Sequence, residues 1–207
     1  ASFEEAFDAG MMSAFHAAQR PRDLAIASRY GDRSFAEFNQ HANQLVRYLR
    51  AQGIGAGDSV AIVAKNRPEF IETYAATLRA GIRFTPVNFH LTGEEAGYVI
   101  DNCEAKAVIY DADLGTGASA AEHAAGCSVR LSCGGAIDGF TAFDDALNGH
   151  DGADIADPLR GSQMLYTSGT TGRPKGVYRR QTPTARSAAQ AMSAGSPGDV
   201  NLCTGPA

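Results

Sequence analysis

Residues 166–176 read YTSGTTGRPKG, which sets the hydroxyls of Thr167, Ser168, Thr170 and Thr171, glycines at 169, 172 and 176, and the cations Arg173 and Lys175 together without an acidic residue. Glycine permits positive φ and lets backbone N–H groups approach a ligand that a Cβ would hold off. Short hydroxyls donate to phosphate oxygens, and a lysine ammonium adds a mobile point charge. Pro174 restricts Arg173 before it and stiffens the turn. The chemistry of this set is anion binding. Arg173, Lys175, Arg179, Arg180 and Arg186 follow one another with no Asp or Glu between them, so the local field is positive and suits a polyphosphate. The spacing is neither G-x-x-x-x-G-K-[ST] nor G-x-G-x-x-G. By composition alone the same loop is equally a solvated Ser/Thr/Gly turn.

Such a loop needs a rigid mount. SQMLYTS before it and GVYRR after it both read as strands, which places the cluster at a strand–loop–strand turn. Upstream, strand-like and helix-like segments alternate. DLAIASRYGDRSF reads as two short strands about a Gly31–Asp32 turn, and Ser34 opens a capping box with Glu37 for a helix carrying Phe35, Phe38, Ala42, Leu45, Val46 and Leu49 on one face, closed by Gly53. SVAIVA is a buried strand, Pro68 starts a helix to about Leu78, and IRFTPVN is the next strand. Thr92 and Glu95 form another capping box, followed by the strand AKAVIY, an Ala/Gly-rich helix within 112–126, the strand SVRLS and a short helix at 141–148. Phe3, Phe7, Met11 and Phe15 predict one amphipathic N-terminal helix ending before Pro21. The expected fold is α/β, a mostly parallel sheet flanked by helices. Residues 1–148 form the alternating region, 149–161 an exposed Gly/Asp/Pro connection, and 162–207 the loop segment.

The remaining composition narrows the function. A chain of 207 residues, 44% hydrophobic, can bury a sizeable core. A formal net charge of -5 argues against general nucleic-acid binding, so any anion site is local. Cys103, Cys127, Cys133 and Cys203 make no metal-ligand pattern and read as reduced, mostly buried thiols. His16, His41, His90, His123 and His150 are scattered and suit surface or capping roles, and Asp144–Asp145 suits a solvated helix face. His90 follows the PVN turn. With no run of about eighteen apolar residues and no cleaved leader pattern, the expected compartment is the cytoplasm.

The ordered string YTSGTTGRPKGV resembles the phosphate-binding signature of the adenylate-forming superfamily, which includes acyl-CoA synthetases, peptide synthetase adenylation domains and luciferases. SFAEFNQHANQLVRYL, NRPEFIETYAATLRAGIRFTPVN and LTGEEAGYVIDNCEAKAVI resemble upstream blocks of the same family in the same order, so the likeness runs over most of 24–204. Val87–Asn88, where peptide synthetase domains tend to carry Ile-Asp, is similar to the fatty acyl-CoA synthetase branch. Arg179, Arg180 and Gln181 depart from the family pattern, in which many relatives carry a histidine past the Gly-Val pair.

The resemblance implies the N-terminal portion of the large domain of an enzyme that uses ATP and magnesium to convert a carboxylic acid to an acyl-adenylate and passes the acyl group to coenzyme A. It assigns Thr167, Ser168, Gly169, Thr170, Thr171, Gly172, Arg173, Pro174 and Lys175 to the ATP phosphates. Carboxylate attack on the α-phosphorus brings two anions together, and donors aimed at the β and γ oxygens lower that cost by orientation and electrostatics. The family's motifs for adenine, ribose, the magnesium-binding glutamate, the hinge and the C-terminal lysine have no counterpart in these residues. No catalytic or metal-ligating residue is therefore expected in them, and the expectation is an N-terminal fragment of a longer ligase that does not turn over alone. A catalytically silent interaction or regulatory relative is the alternative of a different class. Within the superfamily, an acyl-AMP ligase or a peptide synthetase adenylation domain stays open. A kinase-like nucleotide domain would need a metal-binding carboxylate set near the loop, and the sequence offers none.

Overall fold

The computed structural model describes residues 2–167 and 175–178. The departure at Arg179–Gln181 and Cys203 lie outside the described residues.

Two short helices open the chain, α1 (Phe3–Asp8) and α2 (Met12–Gln19), rather than the single helix expected. The break falls at Gly10, whose φ of 72° lies in the left-handed region and whose missing Cβ would overlap the Leu78 carbonyl. The aromatic spacing still works across the break. Phe3 stacks on Phe7 with ring centroids 6.4 Å apart and meets Phe15 edge-on at 5.8 Å.

A small antiparallel pair, β1 (Leu24–Ile26) and β2 (Arg33–Ser34), leads into α3 (Phe35–Ala51). The capping box forms as expected: Glu37 N–H donates to Ser34 Oγ, and the Ser34 backbone N–H donates to Glu37 Oε2. Alternation then continues through β3 (Ser59–Val63), α4 (Pro68–Arg79), β4 (Arg83–Pro86), α5 (Gly93–Asn102) and β5 (Ala105–Asp111). The Ala/Gly-rich stretch holds only a 3-10 turn at Ala112–Leu114 and the short α6 (Gly117–Glu122). After it come β6 (Val129–Cys133), β7 (Thr141–Ala142), α7 (Phe143–Leu147), β8 (Ser162–Thr167) and β9 (Lys175–Tyr178).

Seven of these strands form one sheet in the order β7-β6-β5-β3-β4-β8-β9, parallel throughout except for the antiparallel β8–β9 pair. The continuous apolar run of β3 follows from its central position, since a strand covered on both faces buries every side chain. Period-two alternation splits it between two cores. Val60 and Ile62 join Leu45, Val46 and Leu49 of α3 and Ala76 of α4 on one face. Ala61 and Val63 join Val99 and Ile100 of α5 and Ala120 of α6 on the other.

Residues 149–161 run mostly exposed and are tied to α3. Ile155 is buried, and α3 side chains capture the local backbone: Gln44 donates to His150 O, Arg47 to Asp151 O and Ala153 O, and Asn43 to Gly152 O. The segment ends laced to the last turn of α4, where Leu159 N–H and Gly161 N–H donate to the otherwise unpaired carbonyls of Arg79 and Leu78.

Candidate functional site

Because β8 runs parallel to β4, Thr167 emerges at the carboxyl edge of the sheet, where open α/β sheets place their ligands. The chain returns along β9, and Thr167 and Lys175 are direct cross-strand partners. The two ends of the sequence-predicted loop are thus fixed opposite one another, and both side chains are exposed to solvent. Ser168, Gly169, Thr170, Thr171, Gly172, Arg173 and Pro174 lie outside the described residues. An exposed hydroxyl and an exposed ammonium at facing positions suit an anion.

The root beneath them is built from alternating side chains. Met164 and Tyr166 turn inward and pack on the α5 side of the sheet, while Leu165 and its cross-strand partner Val177 stay 41% exposed on the other face. Gly176 faces Tyr166 across the ribbon, and a Cβ there would collide with Met164 Cε and come within 3.1 Å of the Tyr166 ring. This glycine serves packing at the root. The Tyr166 hydroxyl donates to Asn102 Oδ1 at 2.7 Å, and burial, with Cys103 and Tyr98 beside it, pushes the phenol above its ordinary pKa and keeps it protonated.

The crevice between the carboxyl ends of β3 and β5, a topological switch point, is closed by the protein's own charges. Arg67 Nε lies 2.9 Å from Asp111 Oδ2, within ion-pair distance though not aligned as a hydrogen bond. The same guanidinium contacts Asp113 and lies 4.0 Å from the Tyr30 ring centroid. Gly134 leaves it room, since a Cβ there would strike the guanidinium.

Two buried polar clusters escaped the sequence reading. Glu72, fully buried on α4, accepts from Arg33 Nε and pairs with His41 Nδ1, both at 2.8 Å from Oε1. His41 is therefore tied to a core carboxylate rather than standing free at the surface. Arg79, also fully buried, donates to Asn39, Asn43 and Ser13, while both asparagines donate onward to Asp154 Oδ1. Burial lowers its pKa to about 10, and the charge of Asp154, reached only through the amides, opposes that shift. The signal available was a charge at a helical core position, since Glu72 and Arg79 stand seven residues apart on α4 with Ala75 and Ala76 between them.

Cys103, Cys127 and Cys133 are free and buried as expected, and burial pushes the Cys127 thiol up to about 12. Asp144 and Asp145 are exposed on α7, and His90 is exposed beside Phe89. Among the described residues no group of three or more His, Cys, Asp or Glu is placed to hold a metal, and no helix is long and apolar enough to cross a membrane.

Comparison with known proteins gives this geometry a lineage. The chain is 31% identical to bacitracin synthase 3 of Bacillus licheniformis over 167 residues, covering 80% of this chain and 2% of that protein. It is 31% identical over 156 residues to a long-chain-fatty-acid–CoA ligase of Thermus thermophilus, covering 70% of this chain and 27% of the ligase. The fold matches the solved structure of a Mycobacterium tuberculosis fatty acyl CoA synthetase with a TM-score of 0.71 at 22% identity, over 92% of this chain and 38% of that one. The chain thus spans well under half the length of each of these relatives. The sequence profile of the AMP-binding enzyme family, described in those words, matches residues 14–207. With nearly the whole length matched, and the same mostly parallel sheet in the mycobacterial structure, the chain belongs to the family of AMP-binding, adenylate-forming enzymes.

Proposed function

We propose that residues 1–207 supply the N-terminal portion of the AMP-binding domain of a cytoplasmic ATP-dependent acyl-CoA synthetase, and that the β8–β9 loop, from Thr167 through Ser168, Gly169, Thr170, Thr171, Gly172, Arg173 and Pro174 to Lys175, grips the β and γ phosphates of ATP. The observation that carries this reading is the pairing of Thr167 with Lys175 at the carboxyl edge of the sheet, which aims a hydroxyl and an ammonium at one spot.

The loop's work is electrostatic. As a carboxylate oxygen attacks the α-phosphorus, the bond to the bridging oxygen breaks and pyrophosphate gathers charge; Lys175 and the loop donors meet that charge in place of water. Magnesium would add positive charge at the same phosphates. Its ligand belongs to the later glutamate motif of the resemblance. Coenzyme A as acceptor and a fatty acid as substrate rest on Val87–Asn88 and on similarity to the Thermus ligase. Similarity to bacitracin synthase 3 keeps a peptide synthetase adenylation domain as the second reading.

Titration calorimetry of the 207-residue chain with ATP and with inorganic pyrophosphate tests the grip. Lys175→Ala should weaken both by about tenfold, the value of one charge-assisted hydrogen bond. Equal affinity in wild type and variant, or no binding by the wild type, overturns the assignment.

A further inference from the structure

The β8–β9 ribbon is weakly joined to the sheet that carries it. β8 pairs with β4 at Ser162 and Gln163, and among the described residues Met164 to Thr167 have no ladder partner except β9. Two-thirds of the strand, and with it the root of the loop, projects past its support. A two-stranded ribbon of this length is marginal by itself and needs side-chain anchorage to hold one orientation.

One polar tie reaches across at that height. The Tyr166 hydroxyl donates to Asn102 Oδ1 at 2.7 Å, and Asn102 is the last residue of α5. The helix end is itself pinned, because Arg83 Nη2 of β4 donates to Cys103 O at 3.0 Å. Tyr166 stands one residue before Thr167, and its cross-strand partner Gly176 stands one residue after Lys175, with the ring laid over the glycine. Both loop ends therefore move with the Tyr166 ring.

We propose that Asn102 and Tyr166 are positioning residues for the phosphate loop: their hydrogen bond is a strut from α5 that fixes the outer ribbon and so sets where Thr167 and Lys175 stand. This inference rests on the phosphate-loop reading and deepens it. Neither residue touches phosphate; each acts through the geometry of the root.

The test is calorimetric binding of inorganic pyrophosphate and ATP to the 207-residue chain. Tyr166→Phe and Asn102→Ala should each weaken binding about three- to tenfold, the range of one net hydrogen bond, and the double variant should be no weaker than the stronger single one. Asn102→Ala puts a better helix former at the end of α5, so its melting temperature should hold while its affinity falls. If the wild type binds and Lys175→Ala loses affinity while Tyr166→Phe and Asn102→Ala bind like wild type, the strut is wrong and the phosphate loop stands. Additive losses in the double variant also overturn the strut. No binding by the wild type removes the phosphate-loop reading itself.

Discussion

At the residue scale, Glu69 and Glu72 show how one helix turn can hold two carboxylates in different circumstances. Glu72 has Arg33 and His41 on one oxygen, while the Oε2 atoms of both glutamates are buried without a hydrogen-bond partner among the described residues. Burial, and then the neighbouring charge of Glu72, raises the Glu69 pKa above the ordinary glutamate range; Arg67 and Arg33 offset this only in part. A carboxyl raised on folding favours the native state below its unfolded pKa and loses that advantage as pH rises through the folded value. Glu69→Gln reproduces the protonated form. It should raise the melting temperature by about two degrees at pH 7 and give no gain at pH 4, measured by scanning calorimetry. A gain of the same size at both pH values would mean that the carboxyl's ionisation is not the cause.

At the element scale, helix boundaries were legible because their chemistry is local. The boxes at Ser34–Glu37 and Thr92–Glu95 both form with reciprocal hydrogen bonds, and α4 begins at Pro68 as expected. The N-terminal helix was misjudged because its break depends on Leu78, distant in sequence, pressing on Gly10. In segment 149–161 the Gly and Asp content marks turns, while the anchors are side chains of α3, which local composition does not reveal. The capping box also supplies a test of opposite sign to Glu69. Hydrogen bonds from the Ser34 backbone and side chain hold the Glu37 carboxyl below its ordinary value, so this support is present above the unfolded pKa and fades as pH falls through the folded one. Ser34→Ala should cost about 1 kcal/mol at pH 7, seen as a lower urea midpoint, and the difference should shrink at pH 3.

At the scale of the whole molecule, stability and the proposed phosphate site sit at opposite places in one sheet. β3 is buried along its length and flanked by β4 and β5, whereas the β8–β9 ribbon lies at the edge and joins the sheet through two residue pairs. Native-state hydrogen exchange should be slowest in Ser59–Val63 and Ala107–Ile109 and faster, by about a hundredfold or more, at Leu165 and Tyr166; equal protection would show that the ribbon opens only with the whole domain. The sequence alone determined the alternating α/β order, the two capping boxes, the central strand and the hydroxyl, glycine and lysine chemistry of 166–176, since each depends on neighbours within a few residues. Tertiary structure alone decided that Glu72 meets Arg33 and His41, that Arg79 reaches Asp154 through two asparagines, that the switch-point crevice is filled by Arg67, and that Tyr166 leans on Asn102. Those contacts join residues 31 to 115 positions apart, and no local periodicity encodes which polar groups close packing will bring together.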